Sequence, residues 1–298
     1  MRVSYSEGYY ASIPEDHIFP MHKFDGLHRY LIERQIIHPK NVIEPSLVDV
    51  SNLMSVHTQR YIKGILMGEL QYKEERKLGL PWSFTLARRS RLAVQGTINA
   101  ALMALQDGIS GNIAGGTHHS FPDWGEGFCV FNDVAIAIRI LQKSMWIKRA
   151  MVIDCDVHQG NGTAEYFKND PEVFTFSIHG QKNYPFKKPP SSYDIGLPDN
   201  TTDRDYLIAL GEALGYIFSE FKPDIIFYLG GIDILESDHF GRLSVSLKGL
   251  IERDRMVIEH VFNKNIPLVL LMSGGYAPTL QETVEAHSHM YKIANQLV

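Results

Sequence analysis

Only two of the 298 residues are cysteine, so no disulfide framework can hold this chain. Cys129 and Cys155 read as reduced thiols packed like small hydrophobes, which points to a reducing compartment. Long apolar runs are also missing. The longest, such as IPLVLLM (Ile266–Met272), falls far short of the roughly 20 residues that cross a bilayer. The opening MRVSYSEGYY has no apolar signal-peptide core. Excess basic charge is absent too: 29 Lys and Arg face 34 Asp and Glu, a net charge of -5. That balance argues against direct nucleic-acid binding. The short basic runs RRSR (Arg88–Arg91) and KK (Lys187–Lys188) read as solvated surface. There is no internal repeat, low-complexity tract or Gly/Ser linker. The expectation is a soluble, intracellular, cytoplasmic protein with residues 1–298 as a single domain.

Apolar β-type runs alternate with helical patterns along the chain. Strands are expected at Asn112–Gly115, Ala150–Asp154, Val173–Ile178, Asp224–Leu229 and Pro267–Met272. Helices are expected at Arg89–Gln106, Asn132–Ser144, Thr202–Phe221, Ser246–Asn263 and Thr279–Gln296, with Thr202 as a cap for the third. This alternation implies βαβ units and a mostly parallel sheet. Ligands of such sheets bind at the carboxyl ends of the strands. Every expected strand here is followed by a Gly-rich segment carrying His, Asp or Tyr, so the polar chemistry collects at one sheet edge.

The segment MVIDCDVHQGN (Met151–Asn161) starts as a buried strand and then presents Asp154, Asp156 and His158 at every second position. A bare carboxylate in apolar surroundings costs several kcal/mol unless it is paired or holds a metal. In an extended chain Asp156 and His158 share a side, and Asp233 follows another strand behind Gly230 and Gly231. One imidazole and two carboxylates with an open position suit a catalytic zinc, or less selectively iron(II) or cobalt. The alternative is a buried Asp–His ion pair with Asp233 capping a turn. Asp154 is placed to orient a histidine behind the metal, and Asn161 to do so more weakly.

GGTHHS sets His118 and His119 in tandem, one suited to serve as a general base and the other to face a carboxylate. A chance surface pair is the competing reading. His17, His57, His239 and His287 read as ordinary structural histidines. Tyr276 in SGGYAP is placed to donate to an oxyanion, or else is an aromatic core residue. Phe128 after GEG either walls a channel or belongs to the core. A second metal would want carboxylates two residues after His158 and after Asp233. Gly160 and Leu235 stand there, so the site reads as mononuclear.

Together GGTHHS, GFCVFND, IDCDVHQGNGT, FSIHG, GGIDILESD and SGGY, in that order from Gly115 to Tyr276, resemble the zinc-dependent histone deacetylases. VHTQRYI (Val56–Ile62) extends the likeness, and the short chain looks most like the class IV branch. The resemblance implies the arginase/deacetylase fold, a three-layer α/β/α domain. It makes Asp156, His158 and Asp233 the zinc ligands, with iron(II) as the alternative metal. It makes His118 and His119 the paired histidines and Tyr276 the tyrosine that steadies the transition state. Gly127, Phe128, Tyr184, Gly274 and Gly275 become the acyl-lysine tunnel. Asp154, Asp156, His158, Ser177 and Ile178 become the surroundings of a structural potassium ion. Two departures stand out. Asn161 replaces the aspartate that class I enzymes set behind the second histidine. FPMHKF lacks the arginine of the class I PHR pattern, so a product-exit channel of that type is not implied.

The expected activity is hydrolysis of the N6-acyl-lysine amide in a protein or peptide, with acetyl and long fatty acyl groups equally open. One alternative is an acetylpolyamine deacetylase, which would need an acidic residue at the pocket mouth, for which Glu15, Asp16 and Glu126 are candidates. The other is an acyl-lysine binding module without turnover, which would not need both histidines and the tyrosine.

Overall fold

The structure is a computed structural model that describes residues 1–298. Its strands are β1 (Arg2–Ser4), β2 (Val42–Ile43), β3 (Ile109–Asn112), β4 (Ala150–Asp154), β5 (Val173–Gly180), β6 (Tyr193–Leu197), β7 (Ile225–Leu229) and β8 (Leu268–Leu271). They form one sheet in the order β2-β1-β3-β8-β7-β4-β5-β6, and every pairing is parallel. β4, β7 and β8 are buried along their whole length, as strands covered by helices on both faces must be.

The covering helices fall into two groups. Gln59–Met67, Phe84–Asp107, Asp133–Lys143 and Asn161–Phe167 touch one another in one layer. Lys23–Glu33, Asp203–Glu220, Leu247–Phe262 and Leu280–Asn295 make up the other. The expected three-layer α/β/α architecture is therefore present.

Several boundaries differ from expectation for local reasons. The strand expected at Asn112–Gly115 lies earlier, at Ile109–Asn112, because Gly115 and Gly116 turn to φ +81° and +78°. Its buried Ser110 and Asn112 disguise it, and each is satisfied internally: Ser110 Oγ donates to Ala100 O (2.5 Å) and Asn112 accepts from Tyr9 Oη (2.7 Å). β1, β2 and β6 carry too short or too polar a pattern to stand out. Thr202 occupies the N-cap position of Asp203–Glu220 but makes no side-chain cap bond. Asp203 instead accepts from the Ser246 N–H (2.7 Å) and Oγ (2.6 Å), tying this helix to the start of the next.

RRSR is not simply solvated surface. Arg89 is buried on the inner face of its helix, and Arg91 donates twice to Val48 O.

One buried cation braces the ends of β4 and β7 from behind. Arg253 is fully buried and donates to the carbonyls of Gly231 (2.5 Å) and Cys155 (3.3 Å) while pairing with Asp254 (2.7 Å). Tyr228 Oη on β7 donates to the same Asp254 oxygen (2.5 Å). The two chain segments that leave these strands are thus held by one guanidinium.

Candidate active site

β4 ends at Asp154, and Asp156 and His158 lie in the bend that follows rather than on a continued strand. They come together by curling, not by strand alternation. The Asp156 N–H donates to Asp154 Oδ1 (3.1 Å) and the His158 N–H to Asp156 Oδ1 (3.0 Å). These side-chain-to-backbone bonds two residues apart are what short aspartates do in turns. Asp233, past the end of β7, joins by accepting the Val157 N–H (2.9 Å).

His158 Nδ1 lies 3.1 Å from Asp156 Oδ1 and 3.2 Å from Asp233 Oδ2. One ligand atom from each of the three lies within 4.8 Å of the others. Bonds of about 2.0–2.1 Å to a tetrahedral zinc set neighbouring ligand atoms roughly 3.3 Å apart, so these residues fit such an ion. The electrostatics agree. Burial opposes charge on His158, yet Asp156 and Asp233 push its imidazole up to about 10. Burial and Asp156 push Asp233 up to about 7. Two buried carboxylates against one imidazole call for added positive charge. Ser273 Oγ and the Gly274 N–H each donate to Asp156 Oδ2 at 2.7 Å. A Cβ at Gly274 would collide with both carboxylates, so glycine is required there.

His118 and His119 are both buried, and each ring has a different partner. His118 Nδ1 meets Asp154 Oδ2 at 2.6 Å. Burial works against its charged form, but Asp154 and Asp156 outweigh burial and push it up to about 9. His119 Nδ1 meets Asn161 Oδ1 at 2.7 Å. Burial, with His118 and His158 nearby, holds it well below the usual histidine range. Asp154 therefore orients His118 and the Asp156 backbone, while His158 has no bond to it. His57 is structural: its Nδ1 faces Phe121 O (3.0 Å) and its Nε2 accepts the Asn132 N–H (3.0 Å).

A cavity of about 390 Å³ joins these groups. Phe128, Tyr184, Gly127 and Gly274 line it with Tyr276, Asp156, His158, His118 and His119. Gly275 does not; it packs toward Ile232 and His287. Gly127 has φ +56°, and a Cβ there would stand 2.6 Å from His119 Cδ2. Phe128 (φ 66°) and Ser273 (φ 58°) hold left-handed backbone that non-glycine residues adopt at a cost. Burial raises the Tyr276 phenol well above its ordinary value, so it stays a proton donor. Asp154 and Ser177 are register partners across β4 and β5, so the residues expected around a potassium ion are neighbours. Ser177 Oγ bonds His179 Nδ1 (2.9 Å), and Ile178 is buried.

Three basic residues that line this cavity were not anticipated. It extends from half-exposed Lys77 to buried Lys23 and Arg89. Lys23 Nζ donates to Ser273 O (3.0 Å), and burial pushes it down to about 8. Arg89 Nε has no hydrogen-bond partner, its guanidinium lies 4.6 Å from the Phe24 ring centre, and burial pushes it down to about 10. Lys23 comes from FPMHKF itself, so the segment that lacks the class I arginine still delivers a cation. Glu126 is not at a pocket mouth. It is buried against Asn161 and Tyr184.

Comparison with known proteins gives the family and the fold. The family model for the histone deacetylase domain matches residues 17–291. An uncharacterized protein of Picosynechococcus is 41% identical over 295 residues, covering 99% of this chain and 98% of that protein. Histone deacetylase 2 of Arabidopsis thaliana is 31% identical over 286 residues, covering 92% of this chain and 74% of that protein. A crystal structure of a histone deacetylase homologue complexed with SAHA superimposes with a TM-score of 0.85 at 24% identity, covering 99% of this chain and 84% of that one. A histone deacetylase homologue from Aquifex aeolicus gives 0.83 at 25% identity, covering 98% and 83%.

Proposed function

The chain belongs to the histone deacetylase family, and from that premise we propose that it is a zinc-dependent hydrolase of the N6-acyl-lysine amide. Its DVHQGNG and GIDILESD segments favour the class IV branch. Zinc held by Asp156, His158 and Asp233 would supply Lewis acidity toward the amide carbonyl and toward water.

The chain's own residues do the rest. Phe128 and Tyr184 flank the lysine stem. His119, neutral and with Nδ1 engaged by Asn161, takes the proton of the attacking water at Nε2 and returns it to the departing amine. His118, charged through Asp154, stabilises negative charge as it develops. The Tyr276 phenol donates to the tetrahedral oxyanion. The acid released meets Lys23 and Arg89 on the inner wall.

The observation that carries this reading is one cavity holding both a cluster that demands a cation and a neutral, oriented His119. An acyl-lysine binder without turnover needs no such base. An acetylpolyamine enzyme needs an acidic mouth; none of Glu15, Asp16 and Glu126 lines the cavity, whose half-exposed charged residue is Lys77. The test is release of acetate or myristate, leaving the unacylated lysine in the peptide, from acetyl-lysine and myristoyl-lysine peptides by zinc-loaded wild type and Tyr276→Phe. Turnover of either peptide, lost in Tyr276→Phe, is expected, and the preferred peptide sets the acyl class. No reaction with either peptide while zinc stays bound sinks the reading.

A further inference from the structure

We propose that Glu126 is a positioning residue that fixes which ring nitrogen of His119 carries the proton, acting through Asn161. The proposal rests on the reading of His119 as the base, and it assigns a purpose to a carboxylate that otherwise has none.

Glu126 is 5% exposed and meets four donors. Oε1 accepts from Asn161 Nδ2 (2.6 Å) and Tyr184 Oη (2.6 Å). Oε2 accepts from Trp124 Nε1 (3.1 Å) and pairs with Lys77 Nζ (2.6 Å). Burial favours the neutral acid, but Lys77, Tyr184 and Asn161 together hold Glu126 below the usual carboxylate range. An ionised carboxylate only accepts, so Asn161 must turn its NH2 toward it. The Gly162 N–H, which only donates, approaches Asn161 Oδ1 at 3.1 Å and sets the amide the same way. Asn161 Oδ1 therefore faces His119 Nδ1 (2.7 Å), and that nitrogen must carry the hydrogen. The lone pair is left on Nε2. In imidazole the bond made by one nitrogen decides the state of the other.

An aspartate in place of Asn161 would give the same order directly. Asparagine is symmetric enough to turn over, and Glu126, 35 residues earlier in the chain, removes that freedom. The same carboxylate holds Tyr184, whose ring stands edge-on to His119 with centroids 5.1 Å apart.

The consequences are specific. In Glu126→Gln the new amide turns its oxygen toward Lys77 and Trp124, which only donate, and its NH2 toward Asn161. Asn161 then loses its acceptor, and only the Gly162 N–H still opposes its turning over. In Asn161→Asp two carboxylates face each other across 2.6 Å and must share a proton. In the double variant the NH2 of the introduced glutamine donates to the introduced aspartate. That aspartate accepts from both His119 and Gly162, so every partner is satisfied again.

The experiment uses the zinc-loaded protein with 15N-labelled histidine, the His119 signals being assigned by their loss in His119→Gln. Wild type is expected to show the Nδ1–H tautomer, and Glu126→Gln a shift toward Nε2–H. Each single variant is expected to lose roughly 10–100-fold in kcat on the acyl-lysine peptide, the range for displaced orienting partners of an imidazole. The double variant, whose aspartate raises the His119 pKa, is expected to recover to within about threefold of wild type at a pH high enough to keep that ring neutral, a non-additivity that only coupled residues show. Nδ1–H retained in Glu126→Gln, or single losses that multiply in the double variant, overturns the proposal. So does an Nε2–H His119 in wild type, which needs no variant to fold. The tautomer is read whether or not any peptide is hydrolysed, so failure of the proposed activity and failure of this proposal are separate results.

Discussion

His118 and His119 have ring centroids only 4.1 Å apart, yet their Nδ1 atoms end on chemically opposite partners, the carboxylate of Asp154 and the amide of Asn161. Adjacent residues thus acquire different protonation states. A carboxylate favours the imidazolium; an amide oxygen orients the neutral ring without adding a full charge. One histidine is held charged near neutral pH and the other is held neutral, the state the proposed base needs. The same residue type, repeated, serves two purposes because its surroundings differ.

That asymmetry predicts unequal variants. His119→Ala should lower kcat by about 10²–10⁴, the contribution usual for a positioned acid–base group. His118→Ala should cost less, since it removes a stabilising charge and leaves the base in place. Asp154→Asn should lower kcat by roughly 10–100-fold. Steady-state kinetics on the preferred acyl-lysine peptide would check the order; His118→Ala falling below His119→Ala would reverse the assigned roles.

The cluster of Asp156, His158 and Asp233 predicts a metal-dependent stability. A ligand that binds only the folded state stabilises by mass action, about 2.7 kcal/mol at a hundredfold excess over Kd. Chelation should lower the unfolding temperature and zinc should restore it. Asp233→Asn should unfold at nearly the same temperature with and without zinc, because its Oδ2 lies 3.2 Å from His158 Nδ1 within the ligand set. Differential scanning calorimetry with metal analysis decides it. A zinc response undiminished in Asp233→Asn would remove Asp233 from the set.

How much of this was legible beforehand follows from particular residues. β4, β7 and β8 announce themselves as unbroken apolar runs, and the motifs at their ends identify the site. β6 was not legible because an edge strand with one exposed side, YDIGL, looks like any polar turn. Arg89 was misleading because three neighbours in RRSR carry no sign of which one faces inward; only the helix phase across Phe84–Asp107 decides that. Glu126 could be read only as an acidic residue. Its partners Lys77, Asn161 and Tyr184 come from three separate segments, and a single sequence does not state such distances.

Arg253 should be sensitive despite lying behind the site. It has no exposed surface and its guanidinium bonds the carbonyls next to the bends that carry the proposed metal ligands. Arg253→Met keeps the volume but leaves Asp254 buried with its charge less compensated, and removes the guanidinium donor from the carbonyls of Cys155, Gly230 and Gly231. Breaking a buried pair by removing one partner typically costs about 3–5 kcal/mol. Chemical denaturation should show a loss of this size, and zinc affinity should fall with it. A loss below about 1 kcal/mol, the scale of an exposed ion pair, would mean that the site's backbone is held by other contacts.

His57 should make the fold acid-sensitive. Burial pushes its pKa from 6.5 down to about 4, while in the unfolded chain it takes a proton near 6.5. The unfolded state therefore binds more protons than the native state between those values. The stability this neutral ring contributes is complete above about pH 6.5 and is lost as pH falls toward 4. Its full size is about 3 kcal/mol at roughly 1.4 kcal/mol per unit. His57→Gln should be less stable at pH 7, because the bonds to Phe121 O and the Asn132 N–H are disturbed. The same variant should lose less stability between pH 7 and pH 4. Urea unfolding of both proteins at a series of pH values tests this, and parallel pH profiles would show that His57 is not the group that takes up the proton.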